Sequence, residues 1–229
     1  MVGSAESERS HVSQRMGRFV YIIESPGDKD FVLEQTEGAV LTEALKLCRI
    51  PCNYVLAVSR QTFLFVLGPM LDTLMGKNAE AIPIIHFSAH GSKKGIQLTD
   101  KSVMEWGVLG ERLAQVNSLV GGELIVCLSS CHSMYAGTMV LSSQYGTPFH
   151  FYVGSKGSPD WDVAAVAFVA FYHRLLRRKG GRMGGPISRD VVYRAVKAMR
   201  AASGHDGFMW GSAEWLRRQA LRSVGRHGK

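Results

Sequence analysis

The sequence predicts an α/β fold, a mostly parallel central sheet with helices on both faces. Three observations carry that expectation. Short runs of β-branched and apolar residues alternate with longer segments of helical periodicity. The strand-like runs are apolar nearly throughout, as strands covered on both faces are. Turn residues, rather than long linkers, separate one element from the next.

Taken in order, residues 19–23 (FVYII) form a short β-rich run closed by Ser25-Pro26-Gly27-Asp28. Residues 37–49 follow, with Val40, Leu41, Ala44, Leu45 and Cys48 on one helical face. Residues 53–58 read as a second strand and 61–76 as a largely apolar helix. Residues 82–88 form a third, buried strand, and 96–98 one arm of a small hairpin. A helix over 105–120 stops at Gly121-Gly122, a residue pair suited to a helix end. Residues 124–128 and 149–153 supply the fourth and fifth strands. The segment 163–178 is helical, apolar nearly all round at first and basic at its end. Ser188 suits the N-cap of a helix whose stripe is Val191, Val192, Ala195, Val196 and Met199. With no internal repeat, a single domain over 19–229 follows, preceded by a flexible lead-in at 1–18 and ending in a basic helical part over about 174–229.

Composition narrows the function classes. Of 229 residues, 46% are apolar and 20% charged, ordinary globular values that exclude a disordered chain. No run approaches the ~18 apolar residues of a membrane span. The N-terminal residues lack the apolar core of a secretory signal, so a cytoplasmic location is expected. The net charge of +8 is uneven: residues 1–173 hold 13 Lys/Arg against 16 Asp/Glu, and residues 174–229 hold 14 against 3. The four cysteines are Cys48, Cys52, Cys127 and Cys131. A reducing compartment argues against disulfides. A Cys₄ zinc site fits poorly because Cys127 lies inside an apolar strand, which leaves Cys48, Cys52 and Cys127 as small buried side chains.

Reactive groups of open α/β sheets collect at the carboxyl ends of strands. The third strand runs into His90-Gly91 and the fourth into Cys131-His132. A base and a thiol, each just past a buried strand, are the parts of nucleophilic catalysis. Gly91 permits a sharp turn, and its N–H together with that of Cys131 would form an oxyanion hole. Spacing alone leaves the plainer reading open, an apolar buried thiol and a hydrogen-bonded imidazole. His86 reads as a satisfied core residue, and His132 is the rival to His90. His86, Ser88 and His90 share one strand face, and His90 is preferred for its adjoining glycine and its place at the strand end.

The segments HFSAHGS at 86–92 and VCLSSCH at 126–132 resemble the His-Gly and apolar-strand-Cys motifs of the caspase-like cysteine peptidases. That group includes caspases, metacaspases and bacterial CHAT-domain proteases. GIQLTD at 95–100 resembles the hairpin that follows the histidine. Residues 149–172, with Gly154-Ser155 and Trp161-Asp162, resemble the next strand, substrate loop and helix. The likeness spans about residues 19–200. It implies a caspase-like sheet, His90 as acid and base, Cys131 as nucleophile, and Gly91 with the Cys131 amide as oxyanion hole. It also implies a cleft built from 24–30 and 155–162, with Asp28, Lys156, Asp160, Trp161 and Asp162 as candidates. The substrate would be a protein, one specific partner, cut in bacterial stress or antiviral defence, and no metal or organic cofactor would be required. The interval after Cys131 lacks a long cleavable linker, so control falls to an activating protein, a ligand or dimerisation. Ser129-Ser130-Cys131 departs from the metacaspase pattern of an acid just before the cysteine. Preference for the residue before the scissile bond stays open: Asp160 and Asp162 suit a basic side chain, Lys156 an acidic one.

Two functions of other classes also fit. One is a non-catalytic caspase-like interaction module. The other is a binder of nucleic acid or an anionic surface through the basic C-terminal region. There Arg174, Arg177, Arg178, Lys179 and Arg182 cluster, and Arg217, Arg218, Arg222 and Arg226 oppose Trp215, Leu216, Ala220 and Val224 over 213–226. No nucleic-acid motif accompanies them, and a helix docked on the domain with its charges in water is the plainer reading.

Overall fold

The structure, a computed structural model, describes residues 17–34, 36–77, 81–130, 133–142, 144, 146–176 and 186–218. Its centre is an eight-stranded sheet. The main path runs β2 (Cys52–Leu56), β1 (Gly17–Ser25), β3 (Ala81–Gly91), β6 (Ile125–Ser129), β7 (Phe151–Ser155) and β8 (Phe208–Ser212). All neighbours on that path are parallel except β7 and β8. β4 (Gly95–Gln97) and β5 (Val103–Glu105) make a short antiparallel hairpin that extends the end of β3.

Strand alternation divides the core in two. Phe19, Tyr21, Ile23, Ile85, Phe87, Val126 and Leu128 face the helices α3 (Arg60–Phe65), α4 (Leu71–Lys77) and α5 (Trp106–Leu119). Val20, Ile22, Ile84, Ile125, Cys127 and Val153 face α2 (Glu37–Leu47), α7 (Trp161–Leu176) and α8 (Arg189–Ser203). Two further helices are short, α1 (Asp28–Val32) and α6 (Met139–Ser142). Helices therefore cover both faces, and the sheet is mostly parallel and mixed, as expected. No helix among the described residues is long and apolar enough to cross a membrane.

Several details differ from expectation. The helix anticipated over 61–76 is two helices, α3 and α4, joined by a wider turn at Val66–Met70. Pro69 brings no N–H to the helix ladder and Gly68 leaves helical geometry at φ −116, ψ −106. The Tyr21 hydroxyl donates to the Val66 carbonyl at 2.8 Å, satisfying an acceptor at that break. The lead-in ends earlier than residue 18, because Gly17 and Arg18 belong to β1. The Arg18 guanidinium, 4% exposed, pairs with the Glu123 carboxylate at 2.5 Å. The sheet gains an edge strand, β8, inside the part expected to be basic and helical. Gly91 continues β3 in register with Ile96, and the chain turns at Ser92–Gly95 instead, closed by the Ser92 N–H to the Gly95 carbonyl at 2.9 Å.

Candidate active site

Consecutive strands β1 and β2 run towards one edge of the sheet, whereas β3, β6 and β7 lie on the other side of β1. Such a change of direction opens a crevice at the carboxyl ends of the strands. A cavity of about 730 Å³ lies there. It is lined from four segments: Glu34 and Glu37 after β1, His90 at the end of β3, Ser129 at the end of β6, and residues 158–162 after β7.

His90 is the imidazole among the described residues that line the cavity. Its side chain is 43% exposed, and Nε2 lies 2.9 Å from Asp30 Oδ2 on α1. An ionised carboxylate only accepts, so Nε2 carries the hydrogen and Nδ1 is left as the basic nitrogen. The Trp161 ring stands edge-on to the imidazole with centroids 5.5 Å apart. Gly27 permits this close assembly: a Cβ there would sit 2.9 Å from His90 Nε2 and 3.0 Å from Asp30 Oδ2.

Below His90 the same strand face carries a buried polar cluster. Glu24 Oε1 accepts from the Gly38 N–H at 2.8 Å, and Oε2 accepts from the Tyr54 hydroxyl at 2.7 Å. Ser88 Oγ lies 3.1 Å from Glu24 Oε1 and 2.8 Å from Glu37 Oε2. One hydroxyl has one hydrogen, so it serves the two carboxylates alternately. Burial pushes the Glu24 carboxyl above its ordinary range, the Glu37 charge adding to the push while three hydrogen bonds oppose it. His86 Nδ1 meets the Tyr172 hydroxyl at 2.9 Å, and Phe168 covers the ring edge-on. His86 is thus a core residue as expected, though only half satisfied. His86 Nε2, Glu37 Oε1, Ser129 Oγ and Ser130 Oγ are buried with no hydrogen-bond partner among the described residues.

Cys131 and His132 lie outside the described residues, but both flanks are anchored. Ser130, just past β6, is 2% exposed. Ser133 is fully buried and clamped to β7: its hydroxyl donates to the Ser155 carbonyl at 2.9 Å and accepts from the Ser155 N–H at 2.7 Å. The Tyr152 hydroxyl donates to the Ser133 carbonyl at 2.5 Å. The other thiols are free. Cys127 is fully buried against Tyr172, and burial pushes its thiol up to about 12. Cys48 and Cys52 are only half-buried, not fully so as expected, because they sit at the outer margin of the α2 layer. Among the described residues no three His, Cys, Asp or Glu side chains converge as a metal site.

Of the cleft candidates, Asp160, Trp161 and Asp162 line the cavity with His90. Asp28 and Lys156 do not. Asp28 points to solvent and pairs with Lys101 at 2.8 Å, and Lys156 is exposed beyond β7. Sequence reasoning missed Asp30 and Glu37 as individual residues. The signal for Asp30 was weak, since α1 buries no side chain and shows no apolar period. Of the basic C-terminal positions, 177–185 and 219–229 lie outside the described residues. Ala213–Arg218 are helical, with Leu216 against the core and Arg218 paired to Glu214 at 2.5 Å. Comparison of the chain with models of protein families finds no match, and a search of curated proteins likewise finds none.

Proposed function

We propose that the protein is a cysteine endopeptidase of caspase-like type, with Cys131 as nucleophile and His90 as its acid and base. One observation carries the reading. His90 stands at a strand end, held by Asp30, in a crevice that Ser129, two residues ahead of Cys131, also lines. In this mechanism His90 Nδ1 takes the Cys131 thiol proton, and the thiolate attacks a peptide carbonyl. The Gly91 and Cys131 amides receive the oxyanion. The imidazolium then protonates the leaving amine as the C–N bond breaks, leaving a thioester. Water, losing its proton to His90, hydrolyses that thioester and frees the thiol. Asp30 is a positioning residue that fixes the tautomer. No metal or organic cofactor takes part. We further propose control by a partner protein or ligand, and cleavage of a specific protein substrate in bacterial defence.

The test is a denatured-proteome digest read for new N-termini by mass spectrometry. Cleavage by the wild type, lost in Cys131→Ala and reduced about 10²- to 10⁴-fold in His90→Ala, is expected. Cleavage that persists in Cys131→Ala contradicts the proposal.

A further inference from the structure

We propose that the groove between α8 and β8 binds single-stranded nucleic acid, with phosphates on Arg189, Lys197 and Arg200 and a base against Tyr193 and Trp210. The site is separate from the peptidase chemistry and stands whether or not the chain cleaves protein.

A second cavity, of about 420 Å³, lies at the β8 edge of the sheet and shares no lining residue with the cavity beside His90. Tyr193, Val196, Lys197 and Arg200 of α8 form one side, and Asp206 and Trp210 form the other. Along α8, Arg189, Tyr193, Lys197 and Arg200 recur at steps of four, four and three residues. Those steps put them on one flank of the helix, about 16 Å from end to end. The buried stripe of Val192, Ala195, Val196 and Met199 lies beside that flank and turns it towards the sheet edge.

The flank carries uncompensated charge. Residues 186–212 hold Arg189, Arg194, Lys197 and Arg200 against Asp190 and Asp206. Among the described residues no carboxylate pairs with any of the four cations. Arg189, Tyr193 and Lys197 are exposed, Tyr193 at 54%. Arg200 is half-buried, and its Nε donates to the Phe208 carbonyl at 2.7 Å. That bond fixes the guanidinium on the groove wall and leaves its terminal N–H groups for an anion.

The rings decide which anion. The Arg189 guanidinium carbon stands 5.7 Å from the centre of the Trp210 ring, a planar cation over an indole, and Tyr193 is one helical turn further on. Cations interleaved with ring faces hold a strand whose bases are unstacked, the bases on the rings and the backbone on the charges. A duplex hides its base faces in the stack, so the groove favours single strands. Asp206 argues against an acidic peptide, whose carboxylates it repels. It suits a base instead, because it accepts a hydrogen bond from the exocyclic amine of adenine or cytosine.

Fluorescence anisotropy of the full chain with a short fluorescein-labelled oligo(dA) tests the groove. The single strand should bind, the same strand annealed to oligo(dT) should bind more weakly, and poly-glutamate should not displace it. Tyr193→Ala should weaken binding about tenfold. Arg189→Gln combined with Lys197→Gln should weaken it and flatten the slope of log affinity against log salt by about 1.4, the share of two phosphate contacts on a single strand. The three positions are exposed, so all variants should unfold in urea at the wild-type midpoint. Absence of binding, or affinity and salt slope unchanged in both variants, overturns the proposal. Equal affinity for the duplex overturns it too, as does displacement by poly-glutamate, which would make the groove an acidic-protein site. Displacement by AMP as effective as by unlabelled oligo(dA) would make it a mononucleotide site and overturn the strand.

Discussion

The two faces of the sheet differ most where the strands end. On the α3–α5 side, the last residues of β3 and β6 are Ile85, Phe87, Ala89, Val126 and Leu128, all buried and apolar. On the α2–α7 side of the same strands lie His86, Ser88, His90 and Ser129, joined by Glu24 from β1 and Glu37 from α2. One face is built as a core. The other holds buried polar atoms that lack hydrogen-bond partners among the described residues, each costing about 1–3 kcal/mol. A fold does not need that arrangement for stability, and the polar face is the one that opens into the cavity. The contrast singles out the candidate site by strand parity as well as by strand end.

The largest effect in breaking this comparison belongs to the apolar face. Phe87 is fully buried and stacked on Phe63 at 5.6 Å, so Phe87→Ala should cost about 3–5 kcal/mol in urea unfolding. A loss under about 1 kcal/mol would contradict a tightly packed core there. On the polar face, Gly27→Ala should act on activity. The native φ of −67 suits alanine, but the added Cβ intrudes on the His90–Asp30 pair. Cleavage should fall on the order of 10- to 100-fold with the urea midpoint nearly unchanged, and unaltered cleavage would remove Asp30 from the account.

Glu24 sharpens the comparison through pH. Its carboxyl is raised above the ordinary 4.5, so the folded state holds that proton more firmly than the unfolded chain. The resulting stability is complete below 4.5 and is lost as pH rises through the raised value. Glu24→Gln carries no titrating proton, so its stability relative to wild type should improve as pH rises above 4.5. A pH-independent difference between the two proteins would show that Glu24 is not perturbed. The smallest effect is expected at Ser130, whose buried hydroxyl has no partner among the described residues. Ser130→Ala should leave stability unchanged or raise it by up to about 1 kcal/mol, and a clear loss would reveal a hydrogen bond.

Much of the fold was legible because its strands are buried on both faces. FVYII, IPIIHFS and LIVCL are apolar enough to mark β1, β3 and β6 directly, and the stripe on 191–199 marks α8. Elements that bury little left no such trace. α1 exposes Phe31 and Val32, and β8 is five residues on the sheet edge. The break in the 61–76 helix was written in Gly68-Pro69, but the apolar period ran through it. At the site, His90 and the 160–162 segment could be chosen from motif and position. Glu37 could not, because its place beside Ser88 depends on α2 starting against the carboxyl ends of β1 and β3, a contact far apart in sequence. Asp30 likewise meets His90 across sixty residues of chain.

The central claim concerns one thiol, and its reactivity can be measured without a substrate. The folded protein is treated with limiting iodoacetamide across about pH 5–9, and the modified cysteine is mapped by mass spectrometry. Cys127, fully buried and with its thiol pushed up to about 12, should stay silent. Cys131 should react first, with a thiolate profile below the free value of about 8.5 that returns towards it in His90→Ala. Reaction at Cys131 no faster than at Cys48 and Cys52, or a profile indifferent to His90, would contradict the nucleophile assignment.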